Sequence, residues 1–161
     1  MASTYELIET TTLSSSASSV TFSSITQDYR DLVLVCDLKV SGSIVFPGIT
    51  LNSDTGANYS YVRANGDDNN ASSSAFSSQN APIQGIMGIS AGEQGVIIFQ
   101  LMDYSATDKH KSLLARGSNA DSGTSMWAAR WANTDAITSV EISGNNPYDA
   151  GSSFSLYGIA S

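Results

Sequence analysis

Three short motifs carry residue types capable of chemistry. Asp54-Thr55-Gly56-Ala57 has the residue order of an aspartic protease centre. In such a centre two carboxylates share one proton, because both cannot ionise at close range. A dimeric protease of this kind would draw one aspartate from each subunit. Its triplet would follow apolar residues, and a later apolar pair would run into glycine and a basic residue. Here Asn52-Ser53 precede the triplet, and Ile86-Met87-Gly88-Ile89 has no basic residue. Asp, Thr and Gly are common turn residues, so the triplet reads as a polar turn between two strands. The second motif, Gly88-Ile89-Ser90-Ala91-Gly92, fits the G-x-S-x-G spacing of a nucleophile elbow. That elbow needs a strand, a sharp turn and then a helix. In this chain the motif runs instead into Glu93-Gln94-Gly95 and a β-patterned segment, and the one histidine, His110, is too near in sequence for the hydrolase layout. A glycine-rich turn accounts for these residues. The third is the acidic loop Asn65-Gly66-Asp67-Asp68-Asn69-Asn70, whose oxygens are suited to Ca²⁺. Counted from Asn65, the closing glutamate of an EF-hand falls on Phe76, so a solvated loop tip is the better reading.

The remaining chemistry-bearing residues are scattered. Lys109-His110-Lys111 is the one basic cluster and reads as a solvated turn or a contact to an acidic neighbour. Arg30, Arg63, Arg116 and Arg130 are dispersed, each beside an apolar segment. Tyr59, Tyr61, Trp127 and Trp131 suit a carbohydrate platform, a core or a subunit interface; core plus interface is favoured. Cys36, alone in the chain, excludes an internal disulfide and a CxxC zinc site, and reads as a small buried hydrophobe. The residues thus predict no catalytic group, no bound cofactor and no metal, and hence a chain that is not an enzyme.

The elements that would position these residues are strands. Val20 and Phe22 alternate with Thr21, and Phe154 and Leu156 with Ser155 and Tyr157, the period-two pattern of a half-buried strand. Two runs are apolar on both faces, 31–39 and 95–104, and are expected to be central and covered on both sides for part of their length. Strands are predicted over 5–12, 18–23, 31–40, 48–52, 59–64, 82–89, 95–104, 111–116, 125–131, 136–143 and 152–159. Turn residues separate them, as in Ser41-Gly42, Asn65-Gly66-Asp67, Gly117-Ser118-Asn119 and Gly144-Asn145-Asn146-Pro147. Pro47, Pro82 and Pro147 fall at boundaries. Asn70 to Ser78 reads as loop or a helical turn. Met126 to Trp131 fits either helix or strand. Many short strands at this spacing give one all-β domain over 1–161, an antiparallel β-sandwich or barrel.

Composition narrows the class. At 161 residues the chain is long enough for one well-buried core, with no staple required. Only 14% of residues are charged, against about 25% in an average soluble protein. Serine and threonine make up about a quarter of it. The net charge of −8 argues against a nucleic-acid partner. No apolar run approaches the ~20 residues that span a bilayer, and the start has neither a basic nor an apolar leader segment. A protein made in a cytoplasm but with an exterior-like composition is the expectation.

Several segments resemble small virion proteins of tailed bacteriophages, especially cyanophages. They are Tyr5-Glu6-Leu7-Ile8-Glu9-Thr10-Thr11-Thr12, then Val20-Thr21-Phe22-Ser23-Ser24-Ile25, then Tyr29-Arg30-Asp31-Leu32-Val33-Leu34. Leu51-Asn52-Ser53-Asp54-Thr55-Gly56-Ala57-Asn58-Tyr59-Ser60 resembles an N-x-D-T-G-x-N-Y segment of that group. Lys111 to Arg116 and Ser153 to Ile159 complete a likeness scattered over nearly the whole chain. Gly42 to Pro47 is shorter than the charged insert of many such proteins. The resemblance implies a jelly-roll-like sandwich with no catalytic residues to transfer, and explains Asp54-Thr55-Gly56 as a turn.

The role so implied is a capsid decoration, or cement, protein located on the virion. It would bind the major capsid protein and form a homotrimer, with no nucleic-acid and no membrane partner. Residues 1–19 would be a partly extended N-terminal arm, with the polar stretch Thr10 to Ser19 lying across a neighbour. The alternative is a tail or fibre module that recognises host surface polysaccharide; against it stands the expectation that such a module carries an attachment segment ahead of the sandwich.

Overall fold

A computed structural model of the chain describes residues 4–67, 70–81, 83–84, 87–119 and 123–160. The described residues form twelve strands: β1 (Tyr5–Thr12), β2 (Ala17–Phe22), β3 (Asp31–Lys39), β4 (Pro47–Leu51), β5 (Tyr59–Gly66), β6 (Ala71–Gln79), β7 (Ile83–Gln84), β8 (Gln94–Met102), β9 (Lys111–Asn119), β10 (Gly123–Trp131), β11 (Val140–Tyr148) and β12 (Ser153–Ile159). No helix occurs among the described residues. The fold class is all-β, with antiparallel sheets in a sandwich-like arrangement.

The sheets are unequal. One has eight strands in the order β1-β12-β3-β8-β9-β10-β5-β6, and the other four in the order β2-β11-β4-β7. Each strand of the wide sheet sends alternate side chains inward. Leu32, Leu34, Cys36 and Leu38 of β3, and Ile97, Phe99 and Leu101 of β8, are almost fully buried. They meet Val20, Phe22, Ile49, Leu51, Val140 and Ile142 of the narrow sheet in one hydrophobic core. The aromatic part of that core is large: Trp127, Trp131, Tyr59, Tyr104, Tyr148 and Phe154 are all buried. Each such ring takes roughly 150–250 Å² out of water, at about 25–30 cal/mol per Å² of its apolar part.

Several expectations are corrected. The proposed N-terminal arm is not free over most of its length. Tyr5–Thr12 pairs with β12 along the sheet edge, Leu13 N donates to Ser152 O at 2.9 Å, and Ala17–Phe22 pairs with β11. Residues 1–3 lie outside the described residues. Ala71–Gln79, read as loop or helical turn, is a nine-residue strand. The strand expected over 82–89 shrinks to Ile83–Gln84 plus a bridge from Ile89 to Val45; Pro82, Gly85 and Ile86 lie outside the described residues. Met126 to Trp131 is strand, with Trp127 and Trp131 on its buried face. The two doubly apolar runs are central strands, and their outward side is unevenly covered: Val33 is buried, Val35 and Ile98 are half-buried, and Val96 is 44% exposed.

Candidate functional site

The outward parity of the wide sheet forms the candidate site, a broad and nearly uncharged face. The ladder registers line up two adjoining rows of side chains across it. One runs Leu7, Tyr157, Val33, Gln100, Leu114, Ala128, Val62, Ala75, from one edge of the sheet to the other. The next runs from Val35 through Ile98, Arg116, Met126 and Ala64 to Ser73. Together they hold one charge, Arg116, in a chain of net −8. Arg130 stands on a flanking row opposite Ser60 and Ser112. Asp37 and Asp31 also lie on flanking rows; the Asp31 carboxylate accepts from Asp103 N at 2.8 Å.

Large apolar side chains on this face are left in solvent. Val62 is 55% and Met126 54% exposed, and Leu7 reaches 58% at the far edge. A shallow depression of about 330 Å³ opens between β5, β6 and β10, with Val62, Ala75, Ala128 and Arg130 in its walls. Neither Arg116 nor Arg130 is in an ion pair among the described residues, where Asp103 takes Arg30 and Lys109. Contiguous exposed apolar surface marks a contact site on a soluble protein. Methionine and arginine are also over-represented in protein interfaces.

The sequence motifs land elsewhere, in or beside separate connections between strands. Asp54 sits in the connection from β4 to β5. Its carboxylate accepts from Gly56 N at 2.8 Å, Asn58 Nδ2 at 2.8 Å and Trp131 Nε1 at 2.7 Å. Partial burial pushes its pKa up, but these three donors outweigh it, and the carboxyl titrates below its usual range. The Asp54 carbonyl also accepts from Tyr59 Oη at 3.0 Å; burial raises that phenol to about 12. Asp54-Thr55-Gly56 is therefore a turn anchored on two buried aromatics, in agreement with its turn chemistry.

Ser90 lies in a tight turn: Glu93 N donates to Ser90 O at 3.1 Å, and Gly92 has φ +86°. This turn leads into the start of β8, whereas His110 precedes β9, which pairs with the far end of β8 at Met102. A nine-residue strand separates them by about 25–30 Å, too far for a base to reach a nucleophile. In the acidic loop, Asn65 and Gly66 belong to β5, and Ser125 Oγ donates to Asn65 Oδ1. Asp67 Oδ1 accepts from Asn70 N at 2.7 Å; Asp68 and Asn69 lie outside the described residues. No cluster of potential metal ligands occurs among the described residues.

Of the basic cluster, Lys109 pairs with Asp103 at 3.3 Å, and His110 is exposed. Lys111 is buried, with Nζ donating to Thr134 O at 3.0 Å and Lys109 O at 3.2 Å. Desolvation lowers its pKa. Cys36 is buried, and burial raises its thiol.

The four aromatics split. Tyr59, Trp127 and Trp131 are core. Tyr61 lies flat on Trp127, centroids 4.6 Å apart and planes 10° apart, and stacks on Phe76 of β6 at 4.5 Å. Trp127 is only 2% exposed, so it offers no open platform to a sugar. Sequence reasoning missed the face built on Val62, Leu114, Met126 and Ala128. Its signal was present in the second apolar parity of 31–39 and 95–104, which was assigned to a covering layer.

No family model and no curated protein sequence matches the chain. Among solved structures, a marine PL-14 alginate lyase from Aplysia kurodai is similar at 10% identity and a TM-score of 0.39, covering 84% of this chain and 70% of that one. A mutant of the alginate lyase Aly36B in complex with an alginate trisaccharide is similar at 7% identity and a TM-score of 0.37, covering 93% of this chain and 80% of that one. The expectation that the chain is not an enzyme is therefore corrected: the similar structures are enzymes, and exclusion of catalysis is not maintained. At these scores no lyase residue or activity transfers to this chain.

Proposed function

We propose that the protein is a structural component of a tailed-phage particle that binds the outer capsid surface through the outward face of its wide sheet. The observation that carries this reading is the pair of nearly uncharged apolar rows across that face. Its partner is a protein surface with an apolar ridge to fill the depression beside Val62 and Ala128. Carboxylates on that partner would meet Arg116 and Arg130. Burial of Val62 and Met126 would supply most of the affinity, because desolvated charges add little net. The serine-rich remainder suits a rim, where hydroxyls hydrogen-bond without the desolvation cost of ions. The phage-like segments of the sequence supply the particle; the outward face supplies the means of attachment.

The test is binding of the purified chain to capsids that lack it. The double variant Val62→Glu, Met126→Glu places two charges on the outward parity and leaves the core alone. Binding is expected to weaken at least about a hundredfold, with the unfolding midpoint little changed. Unaltered binding by a folded variant overturns the reading. So does a chain that ignores capsids and is retained on host surface polysaccharide, which would leave the receptor-binding module standing.

A further inference from the structure

We infer that β6 is the dimerisation edge of the wide sheet, where the β6 strands of two copies pair antiparallel about a two-fold axis. The inference is independent of what the outward face binds. β6 closes one end of the wide sheet, and no described strand pairs with its second side. It is nine residues long, and its regular run, Ala71 to Phe76, gives a ladder of about 20 Å. All of it is exposed apart from Phe76 and Gln79, which are half-buried. An open edge of this length is a template for another strand unless charge, proline, a bulge or a cover blocks it.

β6 has almost none of these guards. Ala-Ser-Ser-Ser-Ala-Phe-Ser-Ser-Gln contains neither a charged residue nor a proline. It does carry a bulge near its end, where Ser77 and Ser78 face Ser60 alone and Ser78 has φ +51°; the run before it, Ala71 to Phe76, is regular. The occupant is a second copy because the strand is compatible with itself. Two chains of net −8 repel over most of their surfaces and can approach where no charge stands. A charge-free strand also offers nothing to select a different partner. A two-fold operation sets β6 against its own antiparallel image, the isologous contact of a C2 dimer. The pairing carries the apolar row ending in Val62 and Ala75 into its symmetry mate. It predicts two-fold assembly where the phage resemblance implies a trimer.

The experiment has two arms on the full chain. Sedimentation of the native protein at tens of micromolar should give the mass of two chains, and Ala75→Lys should raise the dimer dissociation constant at least about tenfold. A mass of one chain or three chains overturns the proposal, as does a dimer indifferent to Ala75→Lys. In the second arm, Ser73→Cys, Ser74→Cys and Ala75→Cys are oxidised separately, beside Thr10→Cys on β1. Cys36 is buried, so the new thiol reports alone. At least one β6 position should give a disulfide-linked dimer well in excess of Thr10→Cys. Failure of all three, or equal yield from Thr10→Cys, overturns the proposal and keeps the falsification separate from the fold of Ala75→Lys.

Discussion

The wide sheet ends differently on its two sides. The β1 edge is guarded. Glu6 and Glu9 place charge on it, and its register shifts between Leu7 and Glu9. Tyr29 packs its ring against Gly158 of the neighbouring strand, where a Cβ would come within 2.2 Å of the ring, and donates to Glu6 Oε2 at 3.0 Å. Ala160 N donates to Thr4 O at 3.2 Å, and Gly151 N to Leu13 O at 2.7 Å, so both ends of β1 are tied. The β6 edge has small polar side chains, one aromatic anchor and no charge. One sheet thus carries a finished border and an unfinished one. Edges in soluble proteins are blocked by such devices wherever pairing would be harmful; their concentration at β1 and scarcity at β6 make the second border a place for company.

The largest test of this contrast removes the bed on which the β6 side rests. Trp127→Ala takes a buried indole from under Tyr61, which in turn holds Phe76. A loss of about 3–5 kcal/mol is expected in chemical denaturation. Amide exchange should rise first in β5 and β6 and last in β1; equal loosening of both borders would erase the contrast. A sharper and smaller cut is Phe76→Ala. It removes the one ring that pins β6 and should cost about 1–2 kcal/mol, since the ring is half-buried and its stacking adds a fraction of that. Exchange protection should vanish across 71–79 while 5–12 keeps its own. Retained protection in β6 would show that ladder bonds alone hold it.

The smallest effect is on pH. Asp54 is ionised in the fold to a lower pH than in the unfolded chain, because Trp131, Asn58 and Gly56 donate to it. The unfolded chain therefore binds more protons in acid. The stabilisation is present above the ordinary aspartate range near 3.9 and is lost as pH falls through the lower folded value. Asp54→Asn should flatten that part of the acid unfolding curve, near the β5 end that supports β6, and at neutral pH, where the native carboxylate is ionised, it should lower the unfolding midpoint slightly, with the difference from wild type shrinking in acid. An acid curve identical to wild type would mean that the turn is held by other bonds.

Much of the fold was legible because burial leaves a period-two trace. Leu32-Val33-Leu34 and Ile97-Ile98-Phe99 mark central strands, and Trp127 and Trp131 mark a buried parity. The same residues misled about layers. Val35, Val96 and Ile98 look like side chains awaiting a second cover, and periodicity cannot say whether that cover is part of the same molecule. β6 was illegible for the opposite reason. An edge strand that buries one ring has no apolar alternation to show, and Ser-Ala runs favour strand weakly. The Asp54 turn was read correctly from turn chemistry, but its ties to Tyr59 and Trp131 depend on contacts between β4, β5 and β10 that spacing does not encode. The outward face needed registers across eight strands before its rows could be seen.

The buried Lys111 has a practical consequence. Its amine lies under the 103–110 and 132–136 loops, held by the carbonyls of Lys109 and Thr134. An acylating reagent used to map the surface would modify Lys39 and Lys109 and spare Lys111 until those two loops part. The moment at which that buried amine becomes reactive would time the opening of this end of the sandwich.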